Sequence, residues 1–337
     1  MKGRTLLLLA LATLTALAVA WALQRDPGPR GPGDVFLPEL APLTSDIERM
    51  VVHASGSEPF ALERDAAGWI VPVKGGFPAD TRALRSLLRG LAEARILETK
   101  TSNPELHHRL GVELVDGRPG SGVLLRLEGN DRSMAVVLGQ RETRGLPGTH
   151  VRRLDEDTAL LVDQDLQPPR EPVDWLQREI LDIPVEEVLS LEIERPDGER
   201  LEIERDDLGI FTITNLPEGR QPSGPTAAEA VARGLSGLRL DDVRPMDGAP
   251  VDRTPTRATY RLSDGLVIEA RNWESLSLAG GADHWIAFSA RAEGDETALE
   301  RAAELNARLE PWLYRLPAWR HEQLTRRLGD LLAPAPD

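Results

Sequence analysis

The chain contains no cysteine. Disulfides, thiolate metal sites, cysteine nucleophiles and a lipidated N-terminal cysteine are excluded, although that absence fits any compartment. Lysine is confined to Lys2, Lys74 and Lys100, so arginine carries almost all of the positive charge. Positive charge is itself in deficit, with a formal net charge of −15. Such a surface is repelled by phosphate backbones and anionic headgroups, and no nucleic-acid partner is expected.

The recognised signatures of catalysis are missing too. There is no Walker A sequence, no GxGxxG after a strand, no GxSxG and no HExxH. The six histidines are His53, His107, His108, His150, His284 and His321. None pairs at i, i+4 with a second ligand in a metal motif, and all are read as surface residues. The acidic run Asp155-Glu156-Asp157, with Asp163 and Asp165, lacks the glycine and terminal glutamate of a calcium loop, and reads as a solvated turn. No catalytic, cofactor-binding or metal-binding residue is assigned, and no cofactor is expected.

What is present begins at the N-terminus. Thr5 to Leu23 is a run of 19 residues without a charge, preceded by Lys2 and Arg4. At a rise of about 1.5 Å per residue it just crosses a hydrocarbon core of about 30 Å. The basic start leaves the N-terminus in the cytoplasm and exports the remainder. The rival is a cleavable signal peptide with Ala18-Val19-Ala20 as its site, but the run exceeds the usual apolar core of such signals. The expectation is an uncleaved anchor over residues 1–23. A tether over 24–44 follows, beginning with the Pro/Gly-rich Gln24–Gly33, which excludes helix and central strand.

At 337 residues the chain is long enough for two domains with cores. An internal repeat runs through it. Residues 62–70 read L-E-R-D-A-A-G-W-I and residues 203–211 read I-E-R-D-D-L-G-I-F, an offset of 141. Arg89-Gly90-Leu91 and Arg233-Gly234-Leu235 follow at an offset of 144. Gly68 and Gly209 are expected to supply a positive φ in a turn, and the charged triplets beside them are read as scaffold.

In the first copy, residues 50–54, 60–64 and 69–71 read as strands. Asp80 is then expected to cap a helix whose apolar positions are Leu84, Leu87, Leu88 and Leu91, spaced i, i+3, i+4, i+7. Asn103-Pro104 with Gly111 predicts a short capped helix. In the second copy Leu189, Leu191 and Ile193 alternate with polar residues. Thr226 to Glu229 has capping-box spacing before the stripe Ala228, Val231, Leu235 and Leu238. Each copy then carries a further group of strands, among which Arg126-Leu127 and Arg261-Leu262 are candidates for correspondence. Trp175-Leu176 and Trp312-Leu313 are candidates for a second echo. A terminal helix is expected over His321 to Leu332.

Runs of strands joined by tight turns, with one helix per half, give the α+β class. The expected architecture is two tandem repeated modules, each mainly antiparallel sheet with one amphipathic helix, behind a transmembrane helix. Module one covers 45–184, module two 185–295, and a helical C-terminal segment 296–337.

The L-E-R-D-x-x-G-W segment is followed by Lys74-Gly75-Gly76-Phe77-Pro78-Ala79-Asp80, a leucine helix, Thr101-Ser102-Asn103-Pro104 and Leu110-Gly111. Together with the apolar N-terminus, this order resembles the bacterial family called domain of unknown function 4340. The resemblance covers most of residues 1–185 and is looser beyond. It implies an envelope protein encoded beside ABC transporters of the gliding-motility type, and the family has no assigned catalytic residues to carry over. The expected function is a non-enzymatic accessory or scaffold protein of an ABC-type transport system. Its location would be the bacterial inner membrane, single-pass, with the bulk of the chain periplasmic. Expected partners are permease and ATPase subunits, and the membrane itself through the N-terminal helix. The alternatives are an extracytoplasmic ligand-binding or sensor module and a hydrolase of envelope polymers.

Overall fold

A computed structural model of the chain describes residues 31–113, 122–130, 132–247, 254–276 and 282–334. Thr5–Leu23 lies outside them. Among the described residues no helix is long and apolar enough to cross a membrane. The chain divides into two compact units. Unit one takes the residues up to Ala61 together with Arg82–Arg170; unit two takes Leu62–Thr81 and the remainder from Glu171.

Through the first half the elements are β1 (Arg49–Ala54), β2 (Phe60–Arg64), β3 (Trp69–Val71), β4 (Phe77–Pro78), α1 (Thr81–Glu93), β5 (Ile96–Thr101) and α2 (His107–Leu110). Four longer strands follow: β6 (Val123–Gly129), β7 (Arg132–Glu142), β8 (Gly148–Arg153) and β9 (Ala159–Val162). Unit one is built on the hydrogen-bonded order β1-β6-β7-β8-β9-β5, with every pair antiparallel. Alternation along β1 buries Met50, Val52 and Ala54, and their register partners Leu127, Leu125 and Val123 are buried on β6. The leucine stripe of α1 is buried as its spacing requires. Asn103 caps the turn before α2, accepting from the Glu105 amide at 3.0 Å, and Gly111 closes α2 in the left-handed region.

The chain enters unit one earlier than its composition indicates. Gly33 N–H donates to the Ile96 carbonyl at 2.7 Å, Ile96 N–H to that of Asp34 at 2.9 Å, and Phe36 N–H to that of Ala94 at 2.8 Å. Phe36, Leu37 and Leu40, inside the stretch read as tether, are fully buried.

The second half contributes β10 (Glu179–Leu181), β11 (Val188–Glu194), β12 (Arg200–Arg205), β13 (Phe211–Ile213), α3 (Ala227–Ala232), β14 (Leu238–Arg239) and β15 (Asp242–Pro245). It continues with β16 (Thr256–Leu262), β17 (Leu266–Leu276), β18 (Ala282–Ala292), α4 (Glu296–Leu309), β19 (Trp312–Leu316) and α5 (Ala318–Leu324). Unit two holds an eight-stranded sheet of order β13-β12-β11-β16-β17-β18-β19-β15 and the small pair β10-β14. The longest hairpin is β17–β18, in continuous register from Leu266↔Ala292 to Leu276↔Ala282. Asn306 fastens α4 to β18 by donating to the Ala290 carbonyl at 2.8 Å and accepting from the Ala290 amide at 2.6 Å.

Residues 62–81 are stitched into unit two. Lys74 Nζ lies 2.7 Å from Asp242, and the Phe77 ring meets Trp312 edge-on at 4.9 Å. Asp80 N–H donates to the Trp175 carbonyl at 2.6 Å. The K-G-G-F-P-A-D segment is therefore a structural latch on β15 and β19.

The antiparallel α+β reading holds, and several finer expectations do not. Leu189 is exposed because a bulge between Val188 and Ser190 shifts the register; Val188 takes the inward position instead. Thr226 precedes α3 without a side-chain cap, and Glu229 pairs with Arg233 instead of reaching back. Trp175 closes a 3-10 turn whereas Trp312 opens a strand, so these tryptophans are not equivalent. The terminal helix is short. α5 stops at Leu324, where the Thr325 hydroxyl bonds back to the His321 carbonyl at 2.8 Å and Arg195 Nη1 donates to the Thr325 carbonyl at 2.6 Å. Arg327 then pairs with Asp197, and a separate turn forms at Gly329–Leu331. Tertiary partners on the β11–β12 turn thus outcompete helix continuation.

The two R-G-L copies do different work. A Cβ on Gly234 would sit 2.4 Å from the Tyr260 hydroxyl and 2.7 Å from Leu324 Cδ2, whereas one on Gly90 would meet only the tip of Leu166 at 3.0 Å. Gly234→Ala is expected to destabilise the protein by about 1–3 kcal/mol through overpacking, with Gly90→Ala much milder. Leu235→Ala, at a fully buried position, should cost about 2–5 kcal/mol. Urea midpoints check all three, and equal midpoints for the two glycine variants would contradict the packing account.

Candidate functional site

Polar side chains gather at one place in unit two, on the face of the sheet that α5 covers. The register aligns Thr256 with Asn272 and Glu274 with His284, across β16, β17 and β18. α5 brings His321 and Glu322 over this strip, and the β11–β12 turn adds Arg195 and Pro196. Between them lies a cleft of about 380 Å³, also lined by Thr254, Trp273 and Thr325.

At its centre the rings of His284 and His321 stack, with centroids 4.3 Å apart and planes at 28°. His321 is buried, and its pKa is held down at about 4, chiefly by desolvation and then by His284 and Arg195. The imidazole is neutral at pH 7, which lets it stack without charge repulsion. Asn272 is buried with its Nδ2 turned toward the Ala270 carbonyl at 3.3 Å, while Asn272 Oδ1, His284 Nδ1 and Arg195 Nε are buried without a partner among the described residues. Glu274 and Glu322 stand exposed at the rim. The cleft can hydrogen-bond a small polar ligand through hydroxyls, an amide and carboxylates. Among the described residues no group of three His, Asp or Glu side chains could hold a metal ion.

The residues that the repeat singles out have local structural work. Asp65 Oδ1 accepts from the amides of Ala67 and Gly68 at 2.8 and 2.9 Å, and Asp206 Oδ1 from those of Leu208 and Ile210 at 2.9 and 2.8 Å. Gly68 and Gly209 have φ of 135° and 85°, as the turns require. The acidic run 155–157 lies against arginines. Glu156 pairs with Arg153 at 3.1 Å, and the buried Arg152 donates to the carbonyls of Val112 and Glu156 at 2.8 and 3.0 Å. Burial lowers the pKa of Arg152.

The histidines depart from the surface reading. His107, His150 and His321 are buried. His107 Nε2 bonds the Asp157 carbonyl at 2.8 Å and His150 Nδ1 the Gln140 carbonyl at 3.0 Å. The His284–His321 pair spans 37 residues in sequence, so no local spacing marks it. The only sequence signal was that His284 lies on a strand and His321 on an amphipathic segment.

The depressed pKa of His321 carries a sign. The unfolded chain binds the proton near pH 6.5 and the folded chain only near 4. The stability contributed is therefore full above pH 6.5 and is lost as pH falls toward 4. The shift corresponds to roughly 3 kcal/mol. Urea unfolding of the parent and of His321→Gln from pH 7.5 to 4 should show a steeper loss in the parent by about that amount; parallel curves would contradict the buried neutral imidazole.

No curated protein and no solved structure matches the chain. One family does: Domain of unknown function (DUF4340) matches residues 44–264, which include both E-R-D-x-x-G turns, the latch at 74–80 and the strands β16 and Arg195 side of the cleft. With roughly two thirds of its length matched, the chain belongs to the DUF4340 family.

Proposed function

We propose that the protein is a membrane-anchored, extracytoplasmic accessory or scaffold protein of an ABC-type transport system, and that it is not an enzyme. The observation that carries this reading is the shortness of the link between the apolar run and the folded body. Gly33 is already hydrogen-bonded into unit one. Residues 24–32, at no more than about 3.3–3.6 Å each, span at most about 32 Å. A folded body held that close to a bilayer suits a part that works against membrane-embedded partners. The gliding-motility type of ABC transporter that the family resemblance implies supplies such partners, a permease and its ATPase. The engagement of the repeated charged triplets in turns, and of the acidic run in arginine pairs, supports a scaffold role for them.

The finer architectural reading, two tandem repeated modules, belongs with this proposal. In unit one the order is β1-β6-β7-β8-β9-β5 and in unit two β11-β16-β17-β18-β19-β15. In each, a first strand is followed by four successive strands and then by a strand that comes earlier in the chain, after a helix. Arg126 on β6 pairs with Val51 of β1, and Arg261 on β16 pairs with Ser190 of β11. These orders support an ancestral duplication.

A second reading, an extracytoplasmic ligand-binding or sensor module, is favoured by one observation, the polar cleft under α5. Crosslinking in intact membranes followed by purification of the full chain separates the two. Recovery of a permease or an ATPase subunit is expected. Their absence, with an unchanged yield when the cleft is altered by His284→Ala, would count against the scaffold. A small molecule retained by the parent and lost from that variant would favour the sensor.

A further inference from the structure

We propose that the cleft under α5 is a binding site for a neutral polyhydroxylated ligand, a saccharide, a proposal that rests on the second reading above and gives its ligand a chemical class. The sheet sets the floor of the site. Thr256 is in register with Asn272, and Glu274 with His284, so these four side chains share one face. Directly opposed side chains stand about 5 Å apart, and those two residues apart on one strand about 7 Å. Trp273, between Asn272 and Glu274 on β17, packs with Trp285 and Leu313 instead. The floor is therefore a grid of polar groups beneath a volume of about 380 Å³, within the range of small-molecule sites.

Three buried atoms here have no hydrogen-bond partner among the described residues: Asn272 Oδ1, His284 Nδ1 and Arg195 Nε. Asn272 is only 3% exposed. Its amide orientation is fixed, because Nδ2 faces the carbonyls of Ala270 at 3.3 Å and Thr256 at 3.5 Å. Oδ1 is left as an acceptor for an incoming group. Arg195 is held in the same manner. Its Nη1 donates to the Thr325 carbonyl at 2.6 Å, and Nε remains an open donor. Buried polar groups are nearly always paired, so three open ones around one cleft call for a bound partner.

Their chemistry selects its class. An apolar ligand would strand all three atoms away from water. An anion would meet Glu274 and Glu322 at the rim, with Arg195 the one guanidinium among the described lining residues to offset them. An ammonium has donors alone, which serve Asn272 Oδ1 but not Arg195 Nε. A hydroxyl both donates and accepts. Several on one ring can accept from Arg195 Nε and donate to Asn272 Oδ1, and the rim carboxylates and the Thr254 and Thr256 hydroxyls serve the others.

Saturation-transfer NMR on the full-length chain tests this, in a detergent without a sugar headgroup. Glucose, galactose, mannose and N-acetylglucosamine are the neutral probes, and succinate and putrescine the charged ones. The expected result is transfer to the ring protons of at least one sugar. It should fall several-fold in Asn272→Leu and in Glu274→Ala/Glu322→Ala, and be unchanged in Leu208→Ala on the β12–β13 turn. The rim pair is exposed, so it reports on the site even where Asn272→Leu fails to fold. If succinate or putrescine responds to these variants and no sugar does, the cleft takes a ligand of another class and the saccharide assignment alone falls. If no probe binds, or if binding is untouched by the cleft variants, the assignment and the sensor reading fall together.

Discussion

The register of the β17–β18 hairpin is the constraint on which unit two depends. Eleven consecutive pairs fix which side chains face the interior, because a slip of one residue would exchange the two faces. With that register set, Ile268, Ala270, Ile286 and Phe288 enter the core. Asn272 and His284 arrive under α5, and Ala290 meets Asn306 of α4. The fully buried Tyr260 on β16 adds a second condition. Burial raises the pKa of its phenol, and its hydroxyl fills the space that only a glycine at position 234 leaves open. The helical layer, the cleft and the C-terminal segment all hang on this one sheet face.

Unit one answers to a different constraint, the early capture of the chain. Phe36, Leu37 and Leu40 are buried and the backbone from Gly33 to Phe36 runs beside Ala94 and Ile96. Glu39 pairs with Arg153, which also meets Glu156 and Asp155. This convergence of ion pairs on one half-buried guanidinium accounts for the acidic run. A segment that composition marks as spacer is thereby part of the fold from Gly33 onward.

Much of the fold was legible because it rests on local periodicity. The alternation in β1, β11 and β12, the leucine stripe of α1, the Asn103 and Gly111 caps, and the E-R-D-x-x-G turns each carry their signal within a few residues. What was not legible depends on partners remote in sequence. The bulge that exposes Leu189 arises where β11 pairs with β16, and the early end of α5 and the capture of residues 62–81 by unit two involve Arg195 and Asp242. The cleft was hidden for the same reason. Its histidines come from different elements, and a histidine's burial is set by the tertiary fold and not by its neighbours in sequence. The family resemblance reached residues 1–185, whereas the family match extends through 264.

The central claim is that a short N-terminal anchor holds an extracytoplasmic body against the membrane. Single-cysteine labelling tests it most directly, since any introduced thiol is unique. A membrane-impermeant maleimide applied to intact spheroplasts should modify Leu208→Cys, at a position 85% exposed on the β12–β13 turn. It should leave Lys2→Cys untouched until the cells are lysed. Modification of position 208 only after lysis would contradict the account.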